Sequence, residues 1–231
     1  LICITLYNET RDELLETLQG VYDNLPAFLE VGICPEDIAV CVVFDGILSM
    51  DKTCVDYFKF LDKQTNKLKT KVEMENPNQP RDRRTYIEPN DDNDESVEYK
   101  AKEISVSQRL ADIHYAHKIY IEEVTDKKEQ AKRKNDISRT LPTSIPRKTA
   151  IVYQARISGK DLPRGKSKWY LRSNYTKESL NVFFVVKIIN KGKLSSHLWF
   201  FSGFCKTLNP EFTCLLDCGT VPDNRGIYNY F

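Results

Sequence analysis

Three short apolar runs in this chain stop abruptly at polar residues, and that pattern constrains the fold more than any other feature. Leu1–Leu6 gives way to Tyr7-Asn8-Glu9, Ala39–Phe44 to Asp45-Gly46, and Phe212–Leu216 to Asp217. A further run, Val182–Ile189, is apolar except for Lys187 and is broken at Gly192. Apolar runs of this length, bounded by turn residues, read as strands buried on both faces, the signature of a parallel sheet. Between the first two runs, Leu14, Leu15, Leu18, Val21 and Tyr22 recur at helical spacing. This predicts one helix over 10–29, capped by Asn8 or Thr10 with Asp12 and Glu13 in its first turn. Cys54, Tyr57, Phe58 and Leu61 predict another over 53–64. Strand, helix, strand, helix is the alternation of an α/β fold. Ala150–Gln154 reads as a strand, Ser195–Lys206 as a helix holding Trp199, Phe200, Phe201 and Phe204 in the core, and Thr213–Leu216 as the last strand.

The composition changes in the middle. From about Glu73 to Pro146 the chain is charged and carries several prolines, with an acidic run at Glu88–Glu95 and a basic run at Lys127–Lys134. Such a segment is expected to be a partly disordered insertion, with one helix within Ile104–Val124. The division that follows is 1–72 and 147–231 as two parts of one domain, and 73–146 between them. A net charge of +1 gives the whole chain no polyanion-binding character, and the basic run reads as a solvated surface rather than a nucleic-acid site. Seven cysteines lie mostly within apolar runs, where a buried, reduced thiol is the ordinary state, pointing to a reducing compartment. No apolar run is long enough to span a bilayer. The sequence opens inside an apolar run, so it is expected to be a piece of a longer protein.

Carboxylates at the C-terminal ends of buried strands stand where open α/β sheets bind ligands. A nucleotide-diphosphate sugar asks for what these ends offer. The N3–H of uracil needs a fixed acceptor, which suits Asp45. The diphosphate needs a lysine, and Lys187 and Lys193 are at hand. A divalent cation, Mg2+ or Mn2+, needs a hard oxygen ligand, which suits Asp217. Each has a plainer alternative. Asp45 and Asp217 fit strand-end capping, Glu9 fits a helix first turn, and Lys187, inside an apolar run, needs a carboxylate or phosphate partner whatever the function. Asp92-Asn-Asp94 imitates a metal motif but belongs to the acidic run.

The longer motifs carry a resemblance. Thr5-Leu-Tyr-Asn-Glu9 resembles the opening strand and loop of family 2 glycosyltransferases. Lys187-Ile-Ile-Asn-Lys-Gly-Lys-Leu-Ser-Ser-His-Leu-Trp-Phe-Phe-Ser-Gly-Phe204, Leu208-Asn-Pro-Glu211 and Leu215-Leu-Asp-Cys-Gly-Thr-Val-Pro222 are similar to the fungal-type chitin synthases. The match is dense over 182–228, moderate over 1–60 and absent over 73–146. It implies a GT-A-type, Rossmann-like catalytic domain with UDP-N-acetylglucosamine (UDP-GlcNAc) as donor and a growing β-1,4 chitin chain as acceptor. It implies a membrane enzyme of the plasma membrane, held by segments outside this sequence, with its catalytic domain on the cytoplasmic face and self-association into a homo-oligomer left open. By position, Thr5, Tyr7 and Glu9 would border uridine, Asp45 would hold uracil, Lys187 and Lys193 would face the phosphates, and Asp217 would bind the metal. The sequence departs from the family at Ile47 and Leu198, where the family has Arg. The sequence stops before two later motifs of the family, the Glu-Asp pair that supplies the base and the Gln-Arg-Arg-Trp stretch, so no catalytic residue is expected in this piece. Another family 2 polysaccharide synthase, or a catalytically dead descendant serving as an interaction module, are the alternatives.

Overall fold

The computed structural model describes residues 1–62, 106–134, 150–163 and 179–230. The apolar runs form one five-stranded sheet in the order β3-β4-β2-β1-β5. The strands are β1 (Ile2–Leu6), β2 (Ala39–Phe44), β3 (Ala150–Ser158), β4 (Ser179–Lys187) and β5 (Cys214–Asp217). β4, β2, β1 and β5 run parallel, and β3 closes one edge antiparallel to β4. The result is an α/β, GT-A-like sheet flanked by helices, as the strand–helix alternation predicts.

Side chains alternate between the faces of a sheet. Ile2, Ile4, Val40, Val42, Val182 and Phe184 pack on one face in the main core, together with Leu14 and Leu18 of α1 (Arg11–Asp23), Phe28 of α2 (Leu25–Glu30) and Phe58 of α3 (52–62). Cys3, Cys41, Val43 and Val185 point to the other face and meet Phe200. The two faces are therefore unequally dressed, the first by several helices and the second mainly by the segment after β4.

Several elements depart from expectation. The helix expected over 10–29 is two helices. Thr10 caps the first through a reciprocal pair: its hydroxyl accepts from the Glu13 N–H at 3.3 Å, and its own N–H donates to the Glu13 carboxylate at 2.7 Å. Pro26 has no N–H for the carbonyl of Tyr22, so α1 ends. Asn24, buried at the break, donates from Nδ2 to the carbonyls of Gly20 (2.8 Å) and Asp223 (2.7 Å) and accepts the N–H of Ile227 at 3.0 Å. It thereby ties the loop after β5 to the α1–α2 junction.

β3 runs past Gln154 to Ser158, because Ala155 and Ile157 continue the period-two core face of Ile151 and Tyr153. The segment 73–146 was expected as an insertion. Its described part holds α4 (Val106–Glu122) and α5 (Lys127–Lys134), and Leu110 and Ile113 of α4 join the main core. The basic run is α5. Its Arg133 lies 4.2 Å from the centre of the Tyr120 ring and donates to the Tyr120 carbonyl at 2.8 Å. The acidic run 88–95, with Asp92 and Asp94, lies outside the described residues.

Beyond β4, Gly192 adopts φ +79 and opens α6 (Lys193–Trp199), followed by a π-helical turn at Phe200–Cys205 and α7 (Lys206–Leu208). The aromatic block divides there. Phe200 is fully buried, Trp199 and Phe204 are half-buried, and Phe201 is exposed. Phe212 and Leu215 are also exposed, against the expectation of a buried run, because β5 is an edge strand with neither face fully covered.

Candidate functional site

Parity in the sheet decides which polar side chains meet. Thr5, Lys187 and Asp217 occupy odd-numbered positions, the same side-chain series as Cys3, Val43 and Val185 on the face that meets Phe200. The register sets Thr5 directly beside Asp217 and Phe44 beside Val186, which brings Asp45 alongside Lys187. Because the strands are parallel, all these positions fall at one edge of the sheet, the C-terminal one. An open cleft of about 390 Å³ lies there, lined by Thr5, Tyr7, Glu9, Asp45, Lys193 and Asp217 among others.

The loops after β2 and β4 close on each other at its floor. Gly46 has φ +98, and a Cβ there would lie 2.7 Å from the Cβ of Asn190, so only glycine lets the two loops approach. The Asp45 N–H donates to the Leu6 carbonyl at 2.8 Å, fixing the residue across β1 and β2. Its carboxylate meets the ammonium of Lys187, with Nζ to Oδ1 at 2.6 Å, and both side chains are nearly sealed (3% and 7% exposed). Oδ1 also accepts the Lys191 N–H at 3.1 Å, and Lys187 Nζ donates to Ser196 Oγ of α6 at 3.1 Å. Lys187 is thus paired with a carboxylate and sits behind the cleft wall. Of the seven site residues expected from the sequence, it alone is not part of the lining.

Asp217 contrasts with it. Oδ1 accepts from Lys193 Nζ at 2.5 Å and from Thr5 Oγ1 at 3.4 Å, and the pair stands in solvent at 61% and 54% exposure. The Lys193 hydrogen bond outweighs desolvation and, helped by the Lys193 charge, Thr5 and His197, holds the Asp217 carboxyl below its ordinary value of 3.8. The Glu9 carboxylate folds back on its own loop and accepts the N–H groups of Tyr7 (2.6 Å) and Asn8 (3.1 Å). It shapes the rim on which exposed Tyr7 projects.

Asn190, Gly192 and Ser196 also line the cleft, and sequence reasoning passed over them as site residues. Gly192 reads in the sequence as a chain breaker. The signal for Ser196 was available in Lys187, since a buried ammonium needs more than one acceptor.

Among the described residues no group of three or more His, Cys, Asp and Glu could hold a metal ion. The oxygens of Asp217 and Thr5 are hard donors, and they suit a divalent cation that keeps most of its shell as water and ligand oxygens. No described helix is long and apolar enough to cross a membrane.

The family described as the chitin synthase-like glycosyltransferase domain matches residues 1–77 and 162–231, leaving out the charged middle segment. "Chitin synthase 2" of Mycosarcoma maydis is 47% identical over 49 residues, which is 21% of this chain and 5% of that protein. "Chitin synthase 3" of Pyricularia oryzae is 42% identical over 52 residues, 22% of this chain and 6% of that protein. "Chitin synthase 3" of Verticillium dahliae is 40% identical over 52 residues, with the same shares. The matched stretches are thus a small part of these relatives' length.

Proposed function

Because this chain belongs to the chitin synthase-like glycosyltransferase domain family, we propose that its cleft binds the UDP part of UDP-GlcNAc. The parent protein would transfer N-acetylglucosamine to a growing β-1,4 chitin chain with inversion at C1. The supporting observation is the meeting of Asp45, Asp217, Thr5 and Lys193 at the C-terminal edge of one parallel sheet. Asp45 accepts from the base, Tyr7 offers its ring at the rim, and Lys193 turns from Asp217 to the diphosphate. Lys193 is free to do so because its pair with Asp217 is solvated and weak. Asp217, with Thr5 beside it, would hold Mg2+ or Mn2+, and this cation would neutralise the charge that grows on the departing diphosphate. The part of that reaction proposed for this chain is donor binding. Segments outside this sequence would anchor the parent in the plasma membrane with the cleft on the cytoplasmic side.

Calorimetric titration of UDP into the chain, with Mn2+ or with a chelator, tests the proposal. Binding should be stronger with the metal, and Asp217→Asn should remove that metal-dependent gain while Asp92→Asn leaves it. UDP binding indifferent to metal in every variant removes Asp217 from the site.

Leu198 stands exposed on α6 at a position where the family carries Arg, and this favours a second reading, a descendant that binds nucleotide or partner without transfer. Synthesis of chitin by the parent protein in a membrane fraction would end that alternative.

A further inference from the structure

Residue 45 presents its two oxygens to different surroundings. Oδ1 receives two donors, Lys187 Nζ at 2.6 Å and the Lys191 N–H at 3.1 Å. Oδ2 has no hydrogen-bond partner among the described residues. Since Asp45 lines the cleft, Oδ2 is the atom left to meet a ligand. The donors on Oδ1 are themselves immobile. Lys187 ends a central strand and is held from the far side by Ser196 Oγ at 3.1 Å, while the Lys191 N–H belongs to the loop wedged against Gly46. A carboxylate whose one oxygen is claimed by fixed donors cannot rotate.

We propose that Lys187 is a positioning residue that makes residue 45 an obligate acceptor toward the cleft. The site then takes a pyrimidine whose ring edge offers an N–H, as uracil does, and refuses one whose ring nitrogen offers a lone pair, as cytosine does. This deepens the nucleotide reading given above and rests on it. Lys187 contributes no contact to the nucleotide. Its charge and hydrogen bond determine which atom of residue 45 the nucleotide meets.

A side-chain amide exposes the consequence. An Asn at position 45 has one acceptor and one donor end. With Lys187 and the Lys191 N–H in place, its oxygen must take the Oδ1 position, so its NH2 must face the cleft. A donor there suits cytosine and repels uracil. Asp45→Asn should therefore reverse the base preference rather than merely weaken binding. Without Lys187 the amide is far less constrained and presents either end.

The experiment titrates UDP and CDP into the 231-residue chain in Mn2+, with thermal melting of each variant to establish folding. The native chain is expected to prefer UDP by about ten- to a hundredfold, the range set by one buried polar group left unpaired. Asp45→Asn is expected to prefer CDP by roughly tenfold or more, and Asp45→Asn with Lys187→Met to bind both within about threefold. Should Asp45→Asn not fold, Asp45→Asn with Ser196→Asp returns a counter-charge to Lys187 and carries the same expected reversal. A native chain that binds neither nucleotide, or both equally, overturns the nucleotide reading itself. A native preference for UDP that Asp45→Asn abolishes without reversing, or leaves intact, overturns the role of Lys187 alone.

Discussion

The centre and the edge of the sheet carry the same chemistry in different settings. At the centre, Asp45 after β2 pairs with Lys187 of β4; at the edge, Asp217 of β5 pairs with Lys193 of α6. Both pairs are an aspartate at the end of a parallel strand and a lysine from the Lys187–Lys193 segment, with similar contact distances of 2.6 and 2.5 Å. The central pair is 3% and 7% exposed, the edge pair 54% and 61%. β2 has neighbours on both sides, whereas β5 has only β1. Burial makes the central pair a fixed part of the framework, because neither charge can leave without stranding the other. Solvation makes the edge pair exchangeable, because water replaces either partner at little cost. A site that recognises a base and then releases a diphosphate needs one of each.

The sharpest way to break this contrast is to remove each lysine. Lys187→Met strands a buried carboxylate and should destabilise the chain by about 3–5 kcal/mol, whereas Lys193→Met should cost under about 1 kcal/mol. Urea unfolding of both variants checks it, and comparable losses would mean that burial does not separate the pairs. Two buried thiols of the central strands give a second test. Burial pushes Cys3 in β1 up to about 12 from its ordinary 9, and pushes Cys41 in β2 up as well. The folded state therefore holds these thiols neutral while the unfolded chain ionises them above 9. Stability should fall as pH rises from there, by on the order of 1.4 kcal/mol per pH unit for each thiol. Cys41→Ala should flatten the alkaline limb, and an unchanged slope would show that the centre is wetter than its packing implies. The smallest effect belongs to the edge. The carboxyl of Asp217 is depressed, so the pair's contribution is present above 3.8 and is lost as pH falls through the lower folded value. An NMR titration of Asp217 should move upward in Lys193→Met and in high salt. A titration that ignores both would place Lys193 elsewhere in solution.

Much of the fold was legible because it depends on local pattern. The apolar runs gave the strands, and their polar ends gave the cleft, since parallel strands bring every C-terminal end to one edge. Pro26 was visible in the sequence, yet the apolar spacing of Leu14–Tyr22 masked the break that it makes after Asp23. Lys187 was recognisable as a residue in need of a partner, because a charge inside an apolar run must be compensated wherever it lies.

Which partner it finds is a question of register and strand order. Asp45 and Lys187 lie 142 positions apart, and only the pairing of β2 with β4 sets them side by side. A slip of one residue would turn Lys187 to the opposite face. The sequence by itself determined that there would be a parallel sheet, a polar edge and acidic strand ends upon it. Tertiary structure decided that β2 is central and β5 lies at the edge. It thereby decided which aspartate is locked and which is open, because burial is a property of neighbours and not of the residue that is buried.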